Sequence, residues 1–117
     1  MGPIINAAGF TEAPGGQQFA NLQVLNDHTY CCQLGPGVCA ENGEPTLDMK
    51  DKCVSFHQRR LAQRSEDAKR LGNPLIFTEF GACMNTEACV MEITAVTDVL
   101  DSHMVGWAYW EFKTYAD

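Results

Sequence analysis

The sequence predicts an α/β fold built on a parallel sheet, and three observations carry that prediction. Segments alternate as strand, helix, strand, helix, strand, the order of βαβ units. A short, fully apolar run at Pro74 to Phe77 (PLIF) reads as a strand covered on both faces, as parallel strands are. The first of the two amphipathic stretches ends at Gly72 with Pro74 two residues on, a combination that stops a helix.

Residues 1–21 hold Pro3, Gly9, Pro14, Gly15 and Gly16 without a sustained period of 2 or 3.6, and read as an irregular loop. Residues 22–46 are a strand and its loop. Leu22 to Tyr30 (LQVLNDHTY) is apolar before it turns polar, so the strand ends near His28. Cys31 to Thr46 carries Gly35, Pro36, Gly37, Asn42, Gly43 and Pro45, a long loop of the kind that is functional or tied by disulfides. Residues 47–72 form a helix with Leu47, Val54, Leu61, Ala62, Ala68 and Leu71 at roughly helical spacing. Residues 74–85 are the second strand, closed by Thr78, Glu79 and Phe80, and its loop. Residues 86–103 are the second helix, capped by Asn85 or Thr86, with Glu87 in the first turn where the dipole favours an anion. Its apolar face is Val90, Ile93, Val96 or Thr97, Val99 and Leu100, and it ends near His103. Residues 104–113 hold the third strand, Met104 to Phe112 (MVGWAYWEF), rich in aromatic and β-branched residues. Three parallel strands with two helices leave both sheet edges unpaired and one face poorly covered, so the domain is incomplete as a free-standing unit.

Composition narrows the classes of function. With 45% hydrophobic and 20% charged residues the 117-residue chain is neither disordered nor fibrous. Eight Lys and Arg against fifteen Asp and Glu give a net charge of -7 with no basic run, which disfavours nucleic acid as a partner. No apolar run reaches the roughly 18 residues of a transmembrane segment. Met1 to Phe10 has neither the basic nor the continuous apolar region of a signal peptide. Six cysteines, Cys31, Cys32, Cys39, Cys53, Cys83 and Cys89, nonetheless suit an oxidised, secreted or lumenal (lysosomal) protein. The conflict suggests that Met1 is an internal start or a gene-model artefact, with the true N-terminus upstream.

The chemistry-bearing residues gather at strand ends. Glu79 follows PLIF directly, and parallel α/β folds collect ligands at the carboxyl ends of their strands. It is either a functional carboxylate or a solvated cap or loop residue. His28 and Tyr30 share a face at i, i+2 and lie at the end of the first strand, where they can meet Glu79 or be satisfied by nearby backbone. A Tyr hydroxyl donated to a carboxylate holds it ionised and oriented, as a nucleophile requires. Trp107, Tyr109 and Trp110 end the third strand, as a stacking platform for sugar rings or as core.

The strings VLNDHTYC, PLIFTEFGAC and GWAYWEFK together resemble the last three strands of the glycoside hydrolase family 5 barrel, most closely its endoglycoceramidase and glucosylceramidase-like branch. The likeness runs from about Gly9, where GFTEAPGG resembles the loop before strand six, to the end of the chain. It implies strands six to eight of a (β/α)8 TIM barrel and a retaining β-glycosidase acting on glycosphingolipids or other glucosyl lipids without metal or organic cofactor. Glu79 would be the nucleophile, His28 and Tyr30 its supports, Trp110 the floor of the sugar subsite and Trp107 a further contact. The full-length enzyme would touch lipid surfaces peripherally. One departure stands out: the family draws its acid/base from an Asn-Glu-Pro motif on strand four, and no such string occurs here. Glu44-Pro45 lies after strand six, so the role is not carried onto Glu44. The rival reading is a small disulfide-stapled sugar-binding module, which would need no carboxylate at the nucleophile position.

Six cysteines allow fifteen connectivities. Cys83 and Cys89 share the connection after Glu79 and are expected to pair, while Cys31, Cys32, Cys39 and Cys53 surround the earlier loop, so local bridges brace the rim. Zinc is the weaker alternative, because no CxxC pair is present. His57, mid-helix, reads as a surface or packing residue, and His103 as a helix-end residue favoured by the dipole.

Overall fold

A computed structural model describes residues 9–111. The readings made for 1–8, including Met1, and for 112–113 at the end of the third strand lie outside the described residues.

The order is β1 (Leu25–His28), α1 (Lys50–Leu71), β2 (Leu75–Glu79), α2 (Glu87–Ser102) and β3 (Gly106–Trp107), with short 3₁₀ turns at Gln17–Leu22, Cys31–Leu34 and Leu47–Met49. The strands form one parallel sheet with β2 in the centre. The chain is thus mixed α/β with a small parallel sheet. Leu61 of α1 and Val96 and Leu100 of α2 share a buried cluster with Phe77 and Phe80, so both helices cover the Phe77 face of the sheet. A second cluster, Leu25 with Ala68 and Leu71, seats α1 on β1.

The helix ends follow their sequence signals. Thr86 accepts a hydrogen bond from the Cys89 amide at 3.1 Å, a side-chain cap for α2. Gly72 takes the left-handed conformation (φ 72°) that closes α1. His103 caps α2, its Nδ1 2.9 Å from the Val99 carbonyl.

Several expectations are corrected. The first strand is shorter than Leu22 to Tyr30, because Leu22 ends a 3₁₀ turn within the expected loop and is 77% exposed. PLIF is not covered on both faces: only Phe77 is buried, since both helices pack on one side. The third strand shrinks to Gly106–Trp107, with an isolated bridge from Trp110 to Gly81 beyond it. Leu47 and Ala62 are exposed and lie off the buried face of α1.

That face is half polar. Its buried residues are Cys53, Phe56, His57, Arg60, Leu61, Arg64, Asp67, Ala68 and Leu71, a stripe at helical spacing. Arg60 grips Asp27 of β1 through two bonds (2.9 and 2.8 Å), and Arg64 donates to the same carboxylate at 2.7 Å and to Asp67 at 3.0 Å. His57, expected as a surface or packing residue, is 2% exposed and hydrogen-bonded at both ring nitrogens.

Candidate functional site

The sheet register explains why Glu79 does not point into the helix layer. Phe77 pairs with Asp27, and both face the helices. Period-2 alternation would carry Glu79 to the same side. Instead the pairing slips between Asp27 and His28, so that Thr78 is the extra residue and Glu79 stands opposite His28. Directly paired residues share a face, so the slip turns Glu79 toward His28, as bulges beside sites re-aim side chains.

The outcome is a cluster at the carboxyl end of the central strand. Tyr30 donates its hydroxyl to Glu79 Oε2 at 3.2 Å, and His28 Nδ1 lies 3.4 Å from the same oxygen. Glu79 Oε1 has no hydrogen-bond partner among the described residues. The Tyr30 phenol is pushed up from 10.0 to about 12, first by burial, then by its bond to Glu79 and the charge there, with Tyr109 adding to the effect. It is therefore neutral at physiological pH and can act as the donor. A carboxylate with one oxygen held and the other free, 30% exposed, can attack an electrophile or take a proton.

Gly81 follows in a conformation (φ +100°) open to glycine, and a Cβ there would lie 3.0 Å from the Trp110 carbonyl and against the Tyr109 ring. The Trp110 amide donates to the Phe80 carbonyl at 2.9 Å and the Ala82 amide to the Trp110 carbonyl at 2.6 Å. Trp110 thus crosses directly beside the residues that follow Glu79, and its side chain is 46% exposed. Trp107 is elsewhere. It pairs with Phe77, meets the Phe80 ring edge-on at 5.5 Å and donates its indole N–H to Asp101 at the end of α2. That side of the sheet belongs to the helices, so Trp107 does not join Glu79.

All six cysteines are bridged: Cys31–Cys53, Cys32–Cys39 and Cys83–Cys89. The last is the pair expected from position. It ties the loop after Glu79 to the first turn of α2, and Cys31–Cys53 ties the end of the His28–Tyr30 segment to α1. Three disulfides point to an oxidising, extracellular or lumenal environment. Glu44 holds the two rim loops together by accepting the Met84 amide through both carboxylate oxygens (3.2 and 3.0 Å). Beneath this rim is a cavity of about 160 Å³ lined by residues including Tyr30, Gly81 and Glu92. Among the described residues no helix is long and apolar enough to cross a membrane.

Sequence reasoning missed Thr29 and Glu92. Thr29, between His28 and Tyr30, is buried against His57, and Glu92 meets His57 from α2. A Glu at i+3 from Cys89 and i−4 from Val96 lies on the buried stripe of α2, a signal that was available.

No family model matches the chain, and no solved structure does. The chain is 28% identical over 110 residues to an endoglycoceramidase of Cyanea nozakii, an alignment covering 93% of this chain and 18% of that protein. The chain therefore spans 18% of the length of the curated relative it matches, and the similarity supports a glycoside hydrolase-like relationship.

Proposed function

We propose that this chain carries the nucleophile segment of a retaining β-glycosidase, with β1, β2 and β3 as strands six, seven and eight of a (β/α)8 barrel of glycoside hydrolase family 5. The observation behind the reading is the Glu79 carboxylate at the carboxyl end of a central parallel strand, one oxygen engaged by Tyr30 and His28 and the other without a hydrogen-bond partner among the described residues. The similarity to an endoglycoceramidase supports the same chemistry. Glu79 attacks the anomeric carbon as the bond to the leaving oxygen breaks, and that oxygen takes a proton from an acid supplied by a part of the enzyme outside this chain. Water then releases the sugar from the covalent glycosyl-enzyme. Tyr30 and His28 hold the attacking carboxylate. Trp110 offers the sugar a stacking face, whereas Trp107, bonded to Asp101, serves the helix layer. The substrate is a β-glucosyl lipid met in a lumenal or extracellular space, and the full enzyme touches the lipid surface peripherally.

The test is to read the transcript upstream of Met1, express the extended frame and assay release of aglycone from a β-glucosyl lipid. Turnover is expected, and Glu79→Gln should abolish it while sugar binding is largely kept. Three disulfides in so short a chain also fit a sugar-binding module. Sugar binding by the wild type without turnover, lost equally in Glu79→Gln, would favour that module.

A further inference from the structure

Behind the carboxyl end of β1 lies a polar chain that the proposed chemistry does not use. Thr29 Oγ1 is 2.6 Å from His57 Nδ1, and His57 Nε2 is 2.6 Å from Glu92 Oε1. The three residues are 3%, 2% and 6% exposed and come from the end of β1, from α1 and from α2. A hydroxyl, an imidazole and a carboxylate in series are the parts of a nucleophilic triad. Here the hydroxyl is sealed in the interior and does not line the neighbouring cavity, so it has no path to a substrate. Nor is this a metal centre. The sulfurs of Cys31 and Cys53 lie near the Glu92 carboxylate but are joined to each other, leaving no thiolate to ligate.

Stability alone is a poor reason for the chain. A buried imidazole–carboxylate pair is costly to desolvate, and apolar residues of the same volume stabilise as well or better. Glu92 Oε2 is itself buried with no hydrogen-bond partner among the described residues. What an apolar pair could not supply is an acceptor for Thr29. A carboxylate at Nε2 selects the tautomer protonated there, which leaves Nδ1 to accept the Thr29 hydroxyl.

Thr29 is where orientation matters. Its amide donates to the Glu79 carbonyl at 3.0 Å, immediately after the register slip, and its neighbours on either side are the two residues that touch Glu79 Oε2. Side chains alternate across an extended segment, so fixing Thr29 toward the helices fixes His28 and Tyr30 toward Glu79. We infer that His57 and Glu92 are positioning residues for the Glu79 site, acting through the Thr29 hydroxyl, an inference that rests on reading Glu79 as the reacting carboxylate.

The experiment uses the chain itself, labelled with tyrosine ¹³Cζ, at neutral pH. Tyr30→Phe assigns the Tyr30 signal and Glu79→Ala marks its position without the carboxylate. Thr29→Val keeps the shape and removes the hydroxyl, and Thr29→Ser restores it. The double change His57→Leu with Glu92→Leu replaces the polar pair by an apolar one. Val96→Ala, on the same helix but in the apolar cluster, is the purely structural control. Thr29→Val and the double variant are expected to move the Tyr30 signal most of the way to its Glu79→Ala position. Thr29→Ser should hold the wild-type value, and Val96→Ala should lower Tm without moving the signal. A Tyr30 signal unmoved in Thr29→Val, or in the double variant should Thr29→Val not fold, overturns the inference, as does equal movement in Val96→Ala. None of these readouts needs turnover, so they decide the positioning role even if the glycosidase reading fails. In the active extended protein, Thr29→Val should lower kcat on the order of tenfold with KM little changed.

Discussion

Tyr30 joins the chemistry of the site to the stability of the fold. Its phenol is raised from 10.0 to about 12, so the folded chain favours the protonated form more than the unfolded chain does. Folding therefore keeps the full benefit of this group below pH 10.0, and loses it as pH rises toward about 12, where the unfolded chain has already released its proton. Urea unfolding measured between those limits should show stability falling faster in the wild type than in Tyr30→Phe. Parallel pH dependence in the two proteins would mean that the phenol is not held by burial and by Glu79. The same residue marks how far single positions could be read from sequence. His28, Tyr30 and Glu79 stand out in the sequence because they sit at strand ends, yet i, i+2 alternation alone would turn Glu79 to the side of Phe77. The slip between Asp27 and His28 brings them together, and a one-residue slip leaves no trace in a hydrophobic pattern. Trp107 fails for the complementary reason: its aromatic character suited either face, and its pairing with Phe77 assigns it to the helices.

At the scale of elements, both helices and the central strand are legible in the apolar periodicity because Leu61, Phe77, Val96 and Leu100 are conventional core residues. The same periodicity misplaces the face of α1, since counting apolar positions overlooks a stripe in which Arg60, Arg64 and Asp67 occupy buried places. These residues are affordable there because Asp27 projects from β1 between the two guanidinium groups, with bonds of 2.7 to 2.9 Å. The cluster does for β1 what apolar packing does for β2. Asp27→Asn removes the charge with little change of shape and leaves two largely buried cations facing a neutral amide. The expected cost is roughly 3 kcal/mol in urea unfolding, the order found when one partner of a buried pair is removed. A loss below about 1 kcal/mol would place the cluster with exposed ion pairs, leaving the pairing with β2 and the packing of Leu25 to hold β1. The third strand is shorter than its composition predicts because aromatic residues favour strands, whereas beyond Trp107 the described residues join β2 through the Ala108 amide, which donates to the Phe77 carbonyl at 2.8 Å, and through the bridge from Trp110 to Gly81.

At the scale of the whole molecule, the described residues form a sheet covered by helices on one face. Both helices lie on the Phe77 side, while Asn26, Ile76 and Thr78 occupy the other, where Thr78 donates to Asn26 at 2.6 Å. Among the described residues the apolar interior divides into three small clusters, and the cluster around Cys31, Val38 and Phe56 is closed by the Cys31–Cys53 bridge. Such a body holds Glu79 in place but does not enclose a substrate around it. The retaining hydrolysis proposed for the extended enzyme also needs a second carboxyl group about 5 to 5.5 Å from the nucleophile to protonate the departing oxygen. Of the acidic residues around this rim, Glu44 accepts the Met84 amide, and Glu92, which borders the small cavity beneath, is bonded to His57. General acid catalysis alone contributes about 10² to 10⁴-fold, and the binding surfaces that orient a sugar contribute more. The 117-residue chain by itself should accordingly release no detectable nitrophenol from an aryl β-glucoside, with its three disulfides intact. Adding Glu79→Gln should change nothing in that assay, because the nucleophile proposed for the extended enzyme would, without its acid and its subsite, have no rate to lose. Clear turnover by the isolated chain, abolished in Glu79→Gln, would mean that the acid lies within these residues after all and that the chain is a small glycosidase in its own right.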